Sequence, residues 1–295
     1  MEERTIYALG FFDGVHLGHQ ALLAECRRMA DGLGCQAGVV TFLGHPDTLV
    51  SGRTPPLITT PADRRRLLRQ YGMDTVVELP FDRALMSMAY GTFFRMLVSR
   101  YHAAGLVCGH DFRFGAHGEG DARKLADLCR QAGIGCAVVP EQALDGITVS
   151  STHIRGLLEQ GDVETAVRFL GHPHIFTGTV VPGKKLGRTL GVPTANLVVP
   201  EGVLIPRFGV YACKAWVDGR WYPAVTNVGT RPTVSGQNVT VEPWILGLEE
   251  DLYGRELTLG FYRFLRPEHK FPSLEDLKRQ IQKDRDDTIK TFEKP

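Results

Sequence analysis

The sequence predicts two domains: an α/β domain with a parallel sheet, then an antiparallel β domain that ends in an α-helix. Three observations support this fold class. Up to residue 171, short apolar runs alternate with helical patterns. From Phe176 onward, runs rich in Val, Thr, Tyr and Trp are separated by Gly and Pro. Near the C terminus, Ser273 and Asp276 have the spacing of a capping box. We expect the boundary between residues 171 and 172.

The first half should hold a parallel sheet covered by helices on both faces. Strands are expected at residues 5–9, 37–42, 75–79, 106–108 and 136–139. Helices are expected up to Gly34, from Thr60 to near Gly72, at 92–103 and at 121–131, followed by two between residues 151 and 170 with Asp162 capping the second.

The pattern of the second half is typical of an antiparallel barrel or of a sandwich, and both remain open at this point. Asp218-Gly219 has the composition of a hairpin turn between two strands. The final helix should turn four apolar side chains inward: Leu274, Leu277, Ile281 and Phe292.

Composition excludes several classes of protein. The chain of 295 residues is 43% hydrophobic and has 34 basic and 33 acidic residues. Its formal net charge of +1 does not indicate a nucleic acid or an anionic membrane as partner. No apolar run reaches the roughly 18 residues of a membrane span, and the first residues lack the apolar core of a signal peptide. Six cysteines without a C-x-x-C pair are typical of a reducing compartment, so we expect a cytoplasmic protein. The sequence gives no indication of the oligomeric state.

The first candidate site is the segment GFFDGVHLGH, residues 10–19, which follows the first strand and opens the first helix. At that edge of an α/β sheet, glycines let backbone N–H groups approach phosphates, and the helix N-terminus favours anions. His16 and His19 can donate to a phosphoryl group as charge builds up. A lone histidine pair is more often structural, but the glycines and the strand–turn–helix context favour catalysis. The other candidates in this segment are Gly10, Phe11, Asp13 and Gly14.

Two further segments should reach the same edge of the sheet. GHDFRFG, residues 109–115, follows a strand and contains Asp111. Its Arg113 either binds a phosphate or packs between phenylalanines as a lid. SSTHIR, residues 150–155, opens a helix, and its hydroxyls and cation exceed what a plain N-cap needs. The anion-binding candidates there are Ser151, Thr152 and Arg155.

These three segments, in this order, resemble the adenylyltransferase module of the bacterial bifunctional riboflavin kinase/FMN adenylyltransferase family. The resemblance implies a Rossmann-like nucleotidylyltransferase domain over residues 1–171, in which His16 and His19 stabilise the α-phosphate of ATP. It also implies that Ser151, Thr152 and Arg155 hold ATP phosphates, and that Asp111 binds nucleotide and metal. The chain departs from the family at Gly44, where proline is usual, and at His153, where arginine is frequent.

The second candidate site is GKKLGRTLGVPTAN, residues 183–196. Its glycines and cations suit a loop over phosphates, although its lysine pair alone would equally be a solvated hairpin. Thr194 and Asn196 alternate on an extended segment, so both can face one ligand, and their oxygens suit Mg²⁺. Glu242 lies in an apolar strand-like run, where it is either functional or turned to solvent. The candidate ATP-binding residues are Gly183, Lys184, Gly187, Arg188, Thr189, Thr194 and Asn196.

This half, with its FGVYA, NVGTRPT, VEPWIL and DLYG strings, resembles the riboflavin kinase module of the same family. The resemblance implies an antiparallel β-barrel kinase domain over residues 172–295. Thr194 and Asn196 would hold Mg²⁺ and ATP, and Glu242 would be the general base for the ribityl 5′-hydroxyl. Gly247 stands where the family often has Asp.

The resemblance implies two reactions in sequence: riboflavin and ATP give FMN, and FMN and a second ATP give FAD and pyrophosphate. Two alternatives are another nucleotidylyltransferase and a flavin- or nucleotide-binding regulator without catalysis. The segment containing Asn196 argues against the first, and the intact His16, His19, Asn196 and Glu242 argue against the second.

Overall fold

The computed structural model describes residues 4–50, 52–183, 191–233 and 236–293. The chain divides into two compact units. The first comprises Met1–Pro56 and Arg64–Ser150, and the second comprises Leu57–Asp63 and Ser151–Pro295. The chain therefore passes between the units three times, and the domain boundary expected between residues 171 and 172 stays a prediction.

The first unit is built on a five-stranded parallel sheet, as predicted. Its strands are β1 (Thr5–Leu9), β2 (Gln36–Leu43), β3 (Thr75–Pro80), β4 (Ala103–Gly109) and β7 (Gly135–Val139), in the order β3-β2-β1-β4-β7. Two short antiparallel ladders complete it: β5 (Arg113–Phe114) with β6 (Gly120–Asp121), and β8 (Ala143–Leu144) with β9 (Ile147–Thr148). Every residue of β1 is buried, as expected for a central strand.

The helices of this half are α1 (Leu17–Leu33), α2 (Pro46–Val50), α3 (Pro61–Gln70), α4 (Arg83–Met86), α5 (Tyr90–Arg100) and α6 (Ala122–Ala132). α1 ends at Gly34, whose φ of 62° suits a residue without a Cβ. Asp121 caps α6 by accepting from Lys124 N at 2.8 Å. The helix expected at 92–103 ends at Arg100, because the buried Ala103 already belongs to β4.

The strand order places a switch of direction beside β1. The chain moves outward from β1 through β2 to β3 and then returns to place β4 on the other side of β1. In open α/β sheets, ligands bind outside the carboxyl ends of the strands at such a point. The loops after β1 and β4 therefore flank the expected binding crevice.

The second unit is a closed antiparallel barrel preceded by two helices. Of the two architectures expected from the sequence, a barrel and a sandwich, the structure therefore shows the barrel. The helices are α7 (Ser151–Gln160) and α8 (Val163–Leu170), and Asp162 caps α8 as predicted. The barrel order is β10-β11-β14-β13-β12-β15. These strands are β10 (His174–Val181), β11 (Asn196–Leu197), β12 (Gly209–Val217), β13 (Arg220–Thr233), β14 (Gly236–Ile245) and β15 (Glu256–Arg266). Asp218 and Gly219, with φ of 46° and 84°, form the hairpin between β12 and β13.

The terminal helix α9 (Leu274–Glu293) packs against the barrel. Ser273 Oγ accepts from Asp276 N at 3.1 Å, which confirms the predicted cap. The inward placement of Leu274 is wrong, because its side chain is 59% exposed. Asp284 and Thr288 are the buried residues of this helix, so the first turn projects past the surface that its later turns cover.

A segment from the first half of the sequence belongs to the barrel unit. Leu57 N donates to Gly202 O at 2.8 Å, and Leu204 N donates to Leu57 O at 2.7 Å. The buried Asp63 carboxylate accepts from Thr177 N at 2.9 Å and from Thr177 Oγ1 at 2.6 Å. The sequence pattern does not predict these contacts with the barrel, since an acidic residue such as Asp63 is common in the first turn of a helix.

Cysteine and helix content agree with the composition. All six cysteines are free thiols; Cys26, Cys108, Cys129 and Cys213 are buried, and Cys35 and Cys136 are half-buried. Within the part of the chain that the structure describes, no helix is long and apolar enough to cross a membrane.

Candidate active sites

The loop between β1 and α1 follows a left-handed path that delivers two histidines to the start of α1. Phe12, Gly14 and Val15 have φ of 59°, 79° and 40°. A β-branched residue such as Val15 rarely adopts a positive φ, so the surrounding packing must hold it there. Both Phe12 and Val15 are fully buried, which supplies that packing. The loop is thus a rigid mount for the side chains that follow.

His16 and His19 form a stacked pair, with ring centroids 3.6 Å apart and an angle of 16° between the planes. His16 Nδ1 accepts from His19 N at 3.3 Å and caps α1. An acceptor nitrogen carries no proton, so in the neutral ring the proton of His16 is on Nε2, which can donate to a ligand. The prediction that the two imidazoles lie together is consistent with this geometry.

The environment of His19 keeps its imidazole neutral. Burial lowers the pKa of His19 well below its usual value, and the nearby His16 and Arg64 lower it further. Among the residues that the structure describes, no group hydrogen-bonds His19 Nδ1. A neutral ring still offers one N–H group, so His19 can hydrogen-bond a phosphoryl oxygen without needing to be charged.

The backbone of the loop is fixed by two donors that converge on one carbonyl. Phe11 O accepts from Arg64 Nη1 at 3.1 Å and from Thr41 Oγ1 at 2.9 Å. Arg64 Nη2 also donates to Phe42 O at 2.9 Å, and its guanidinium lies 4.5 Å from the centre of the Phe11 ring. Arg64 is only 1% exposed. Its side chain therefore joins the loop to the end of β2.

Sequence reasoning missed Arg64, although a signal existed. Leu67 and Leu68 are buried, and they stand three and four residues after Arg64 on α3. This spacing puts Arg64 on the buried face of the helix. A charge on a buried face is costly without a partner, so this spacing indicates a buried interaction of Arg64.

The other predicted residues of this site divide between the units. Gly10 N donates to Val40 O at 3.3 Å, and Asp13 and Gly14 are buried within the loop. Asp111 is exposed in the turn after β4, at the same edge of the sheet. Ser151, Thr152 and Arg155 lie in the first two turns of α7, which belongs to the second unit. Their role as phosphate ligands stays a prediction.

Two of the three positions that depart from the resembled pattern, Gly44 and His153, have defined local surroundings. Gly44 has φ of 82°, which the fixed φ of proline near −65° cannot match. The chain after β2 therefore takes a path closed to a proline at that position. His153 packs its ring against Phe169, with centroids 4.7 Å apart, so it contributes to the packing of α7 on α8.

In the barrel unit, Glu242 faces a cavity of about 380 Å³. Glu242 and Trp244 alternate on β14, so they share a face, and they stand opposite Asn227 and Val225 of β13. All four line the cavity, and therefore Glu242 does not simply point away to solvent. The other lining residues are Val192, Thr194, Val210, Arg266, Glu268, His269, Phe271, Leu277, Ile281 and Asp284.

A second cavity, also of about 380 Å³, shares Thr194 with the first. Its walls come from strands β10 and β14 and from the acidic segment 249–251. Asn196 begins β11 two residues after Thr194, opposite Val181. A Cβ on Gly183 would overlap the Asn196 side-chain amide, so any other residue there would have to displace that amide. Lys184, Gly187, Arg188 and Thr189 lie outside the described residues.

Helix α9 lines the first cavity and is held by a buried ion pair. Arg266 donates to Asp284 from Nε at 3.1 Å and from Nη2 at 2.8 Å, and Gln280 Nε2 donates to Asp284 at 2.8 Å. Asp284 is 3% exposed. Trp244 and Phe271 give this cavity aromatic walls. The sequence patterns indicated neither the ion pair nor these aromatic walls.

Comparison with known proteins identifies the family. The family model for FAD synthetase matches residues 1–153, and the one for riboflavin kinase matches residues 170–292. A bifunctional riboflavin kinase/FMN adenylyltransferase of Listeria monocytogenes is 35% identical over 98% of this chain and 93% of its own length. The Pseudomonas fluorescens protein of the same name is 38% identical over 95% of this chain and 90% of its own.

A solved structure from Streptococcus pneumoniae, described as a macrolide-efflux protein, matches with a TM-score of 0.89 and 29% identity. It covers 98% of this chain and 95% of the other. Both modules that the sequence motifs indicated are thus matched, in the predicted order. The chain belongs to the bifunctional riboflavin kinase/FMN adenylyltransferase family of enzymes.

Proposed function

We propose that the two reactions of this family take place in different units of the chain: adenylyl transfer at the stacked histidines and phosphoryl transfer at the barrel cavity. The chain converts riboflavin to FMN with one ATP and FMN to FAD with another. The observation that supports the division is that His16 and His19 belong to the first unit, whereas Thr194, Asn196 and Glu242 belong to the second.

For adenylyl transfer, the role we assign to His16 and His19 is to hydrogen-bond the α-phosphate of ATP while the FMN phosphate attacks it. Negative charge grows on the phosphoryl oxygens in the transition state, and fixed donors stabilise that charge without having to reorganise. The rigid loop and the cap of α1 supply this fixity. Asp111, which belongs to the same unit, is proposed to bind the nucleotide.

For phosphoryl transfer, we place riboflavin in the cavity that Glu242 and α9 line. Its apolar and aromatic walls, which include Trp244 and Phe271, suit a flat ring system. Glu242 would accept the proton of the ribityl 5′-hydroxyl, since an alcohol is a weak nucleophile until that proton is removed. ATP is proposed to approach from the neighbouring cavity, because Thr194 is common to both.

Mg²⁺ fits the donor set that the barrel offers. The hydroxyl of Thr194 and the amide oxygen of Asn196 are hard ligands, and the glycine at 183 leaves the amide the room that a Cβ would fill. These two residues would hold the ion, which neutralises phosphate charge during transfer. The cytoplasmic location expected from the sequence likewise remains part of this proposal.

The test is a pair of variants assayed for both products. His19→Ala should abolish FAD formation from supplied FMN and leave FMN formation from riboflavin intact. Glu242→Gln should show the reverse pattern, with FMN formation lowered about 100-fold or more, the usual contribution of a general base. Loss of both products in either folded variant would contradict the assignment of one reaction to each unit.

A further inference from the structure

Arg64 is a buried cation that neither reaction uses directly. It is among the largest fully buried side chains of the protein. Burying a guanidinium is costly unless its N–H groups find acceptors, and two of them find the carbonyls of Phe11 and Phe42. Both carbonyls lie at the carboxyl edge of the sheet, one in the loop that carries the histidines and one near the end of β2.

Thr41 strengthens the same junction. Its fully buried hydroxyl donates to Phe11 O, the carbonyl that Arg64 also holds. Phe11 stands immediately before the left-handed stretch that leads to His16. A shift of the Phe11 carbonyl should therefore also move His16, because the loop between them has little conformational freedom.

We propose that Arg64 is a positioning residue for adenylyl transfer: with Thr41, it fixes the Phe11 carbonyl and so sets the place and the electrostatic surroundings of the histidine pair. This proposal rests on the proposed function of His16 and His19. Arg64 itself does not touch the substrate, because the loop and the end of β2 enclose its guanidinium.

The electrostatic part follows from the groups around the two side chains. His19 lies near His16 and Arg64, and both neighbours add to burial in lowering the pKa of His19. Arg64 in turn faces Asp13, Glu78 and Arg65. Removing the charge of Arg64 takes away one of these influences on the pKa of His19. The variant His19 should then bind a proton at higher pH.

The experiment compares four variants of the full chain: Arg64→Met, Arg64→Lys, Thr41→Val and, as a matched control, Arg65→Gln. Arg65 is the next residue, and its ion pair with Glu78 is partly exposed. Each preparation is assayed for FAD formation from FMN across pH and for FMN formation from riboflavin. Thermal unfolding of each variant checks that it is folded.

Arg64→Met should lower kcat for FAD formation about 100-fold, which is what a misplacement of about 1 Å costs, with little change in KM for ATP. The acid limb of its pH profile for FAD formation should move to higher pH. Arg64→Lys should keep the acid limb in place but still lose kcat, because an ammonium cannot reach both carbonyls as a guanidinium fork does. Thr41→Val should lose about 10-fold. FMN formation should be unchanged in all four.

The proposal is overturned if Arg64→Met keeps kcat within about twofold of the parent, or if Arg65→Gln matches its loss. If Arg64→Met does not fold, unchanged kcat in Arg64→Lys and Thr41→Val overturns it equally. The outcome is separable from that of the proposed function. Were His19→Ala to form FAD normally, the role of the histidines would fall; were only the Arg64 variants normal, the histidines would stand and Arg64 would not.

Discussion

Single buried charges mark both sites of this protein. Arg64 and Asp284 are 1% and 3% exposed, and each holds an element next to a place where phosphate chemistry is expected. Burying a charge is costly, and that cost is offset by the hydrogen bonds that Arg64 makes through Nη1 and Nη2 and that Asp284 accepts from Arg266. The predicted site residues range from buried side chains, such as His16 and Asp13, to half-buried or exposed ones, such as Thr194 and Asp111. Burial alone therefore does not separate ligand contact from support of the site.

Gly183 gives a prediction at the level of one atom. Gly183→Ala should lower kcat/KM for FMN formation about 100-fold, because the added Cβ displaces the Asn196 amide. FAD formation from supplied FMN, measured in the same sample, should not change. The matched control is Gly32→Ala on the exposed side of α1, where no atom lies within 4 Å of the new Cβ. That change should leave both rates alone and stabilise the helix by about 0.5–1 kcal/mol.

Secondary-structure elements were the most predictable level of this molecule. The inner strands β1 and β4 were found because both their faces are buried, which makes them continuous apolar runs. Asp162 and Ser273 were found as caps because their chemistry is local. Leu274 was misplaced, since helical spacing gives the face of a helix but not the turn at which a neighbour begins.

The candidate sites were predictable only where consecutive residues carry them. The histidine pair and the segment that ends in Asn196 are contiguous, so their chemistry was visible in the sequence. The contacts of Arg64 with Phe11 and of Asp284 with Arg266 join residues that lie 53 and 18 positions apart. No local pattern states such a pairing, because it depends on how elements pack. The aromatic walls at Trp244 and Phe271 were missed for the same reason.

Helix α9 should depend on Asp284 for its place against the barrel. Asp284→Ala leaves the guanidinium of Arg266 without its partner, and breaking a buried pair typically costs 3–5 kcal/mol. We expect a lower free energy of unfolding and a raised KM for riboflavin, since the same helix lines the cavity. Denaturant titration and FMN-formation kinetics measure the two effects.

The control for that variant is Asp286→Ala, whose partner Arg285 is at the surface. An exposed pair is worth about 0–1 kcal/mol, so both measurements should stay close to the parent. Equal losses in the two variants would mean that the Arg266–Asp284 pair has no special part in holding α9.

The two units are interleaved along the chain, since each is made of two separate segments. Residues 57–63 lie inside the segment that the FAD synthetase model matches, yet they belong to the barrel unit. Asp63→Ala removes the acceptor of the Thr177 amide and hydroxyl. Loss of the buried carboxylate as acceptor costs about 1–3 kcal/mol, although the Thr177 hydroxyl keeps its hydrogen bond with Thr258, so FMN formation should be lost at a temperature about 5 °C lower.

The matched control for Asp63 is Asp74→Ala, which breaks an ion pair with Arg27 inside the first unit. Its effect should fall on FAD formation rather than on FMN formation during the same thermal-inactivation series. If Asp63→Ala leaves the heat resistance of FMN formation untouched, residues 57–63 are not part of the barrel's stability.

Thr194 stands in the common wall of two cavities of similar volume, one lined by Glu242 and one by the acidic segment 249–251. A compound with an aromatic head for the first and a nucleoside tail for the second would therefore reach both through a very short linker. Tethering raises the effective concentration of the second group to the millimolar range or above, so such a bisubstrate inhibitor should bind far more tightly than either half alone.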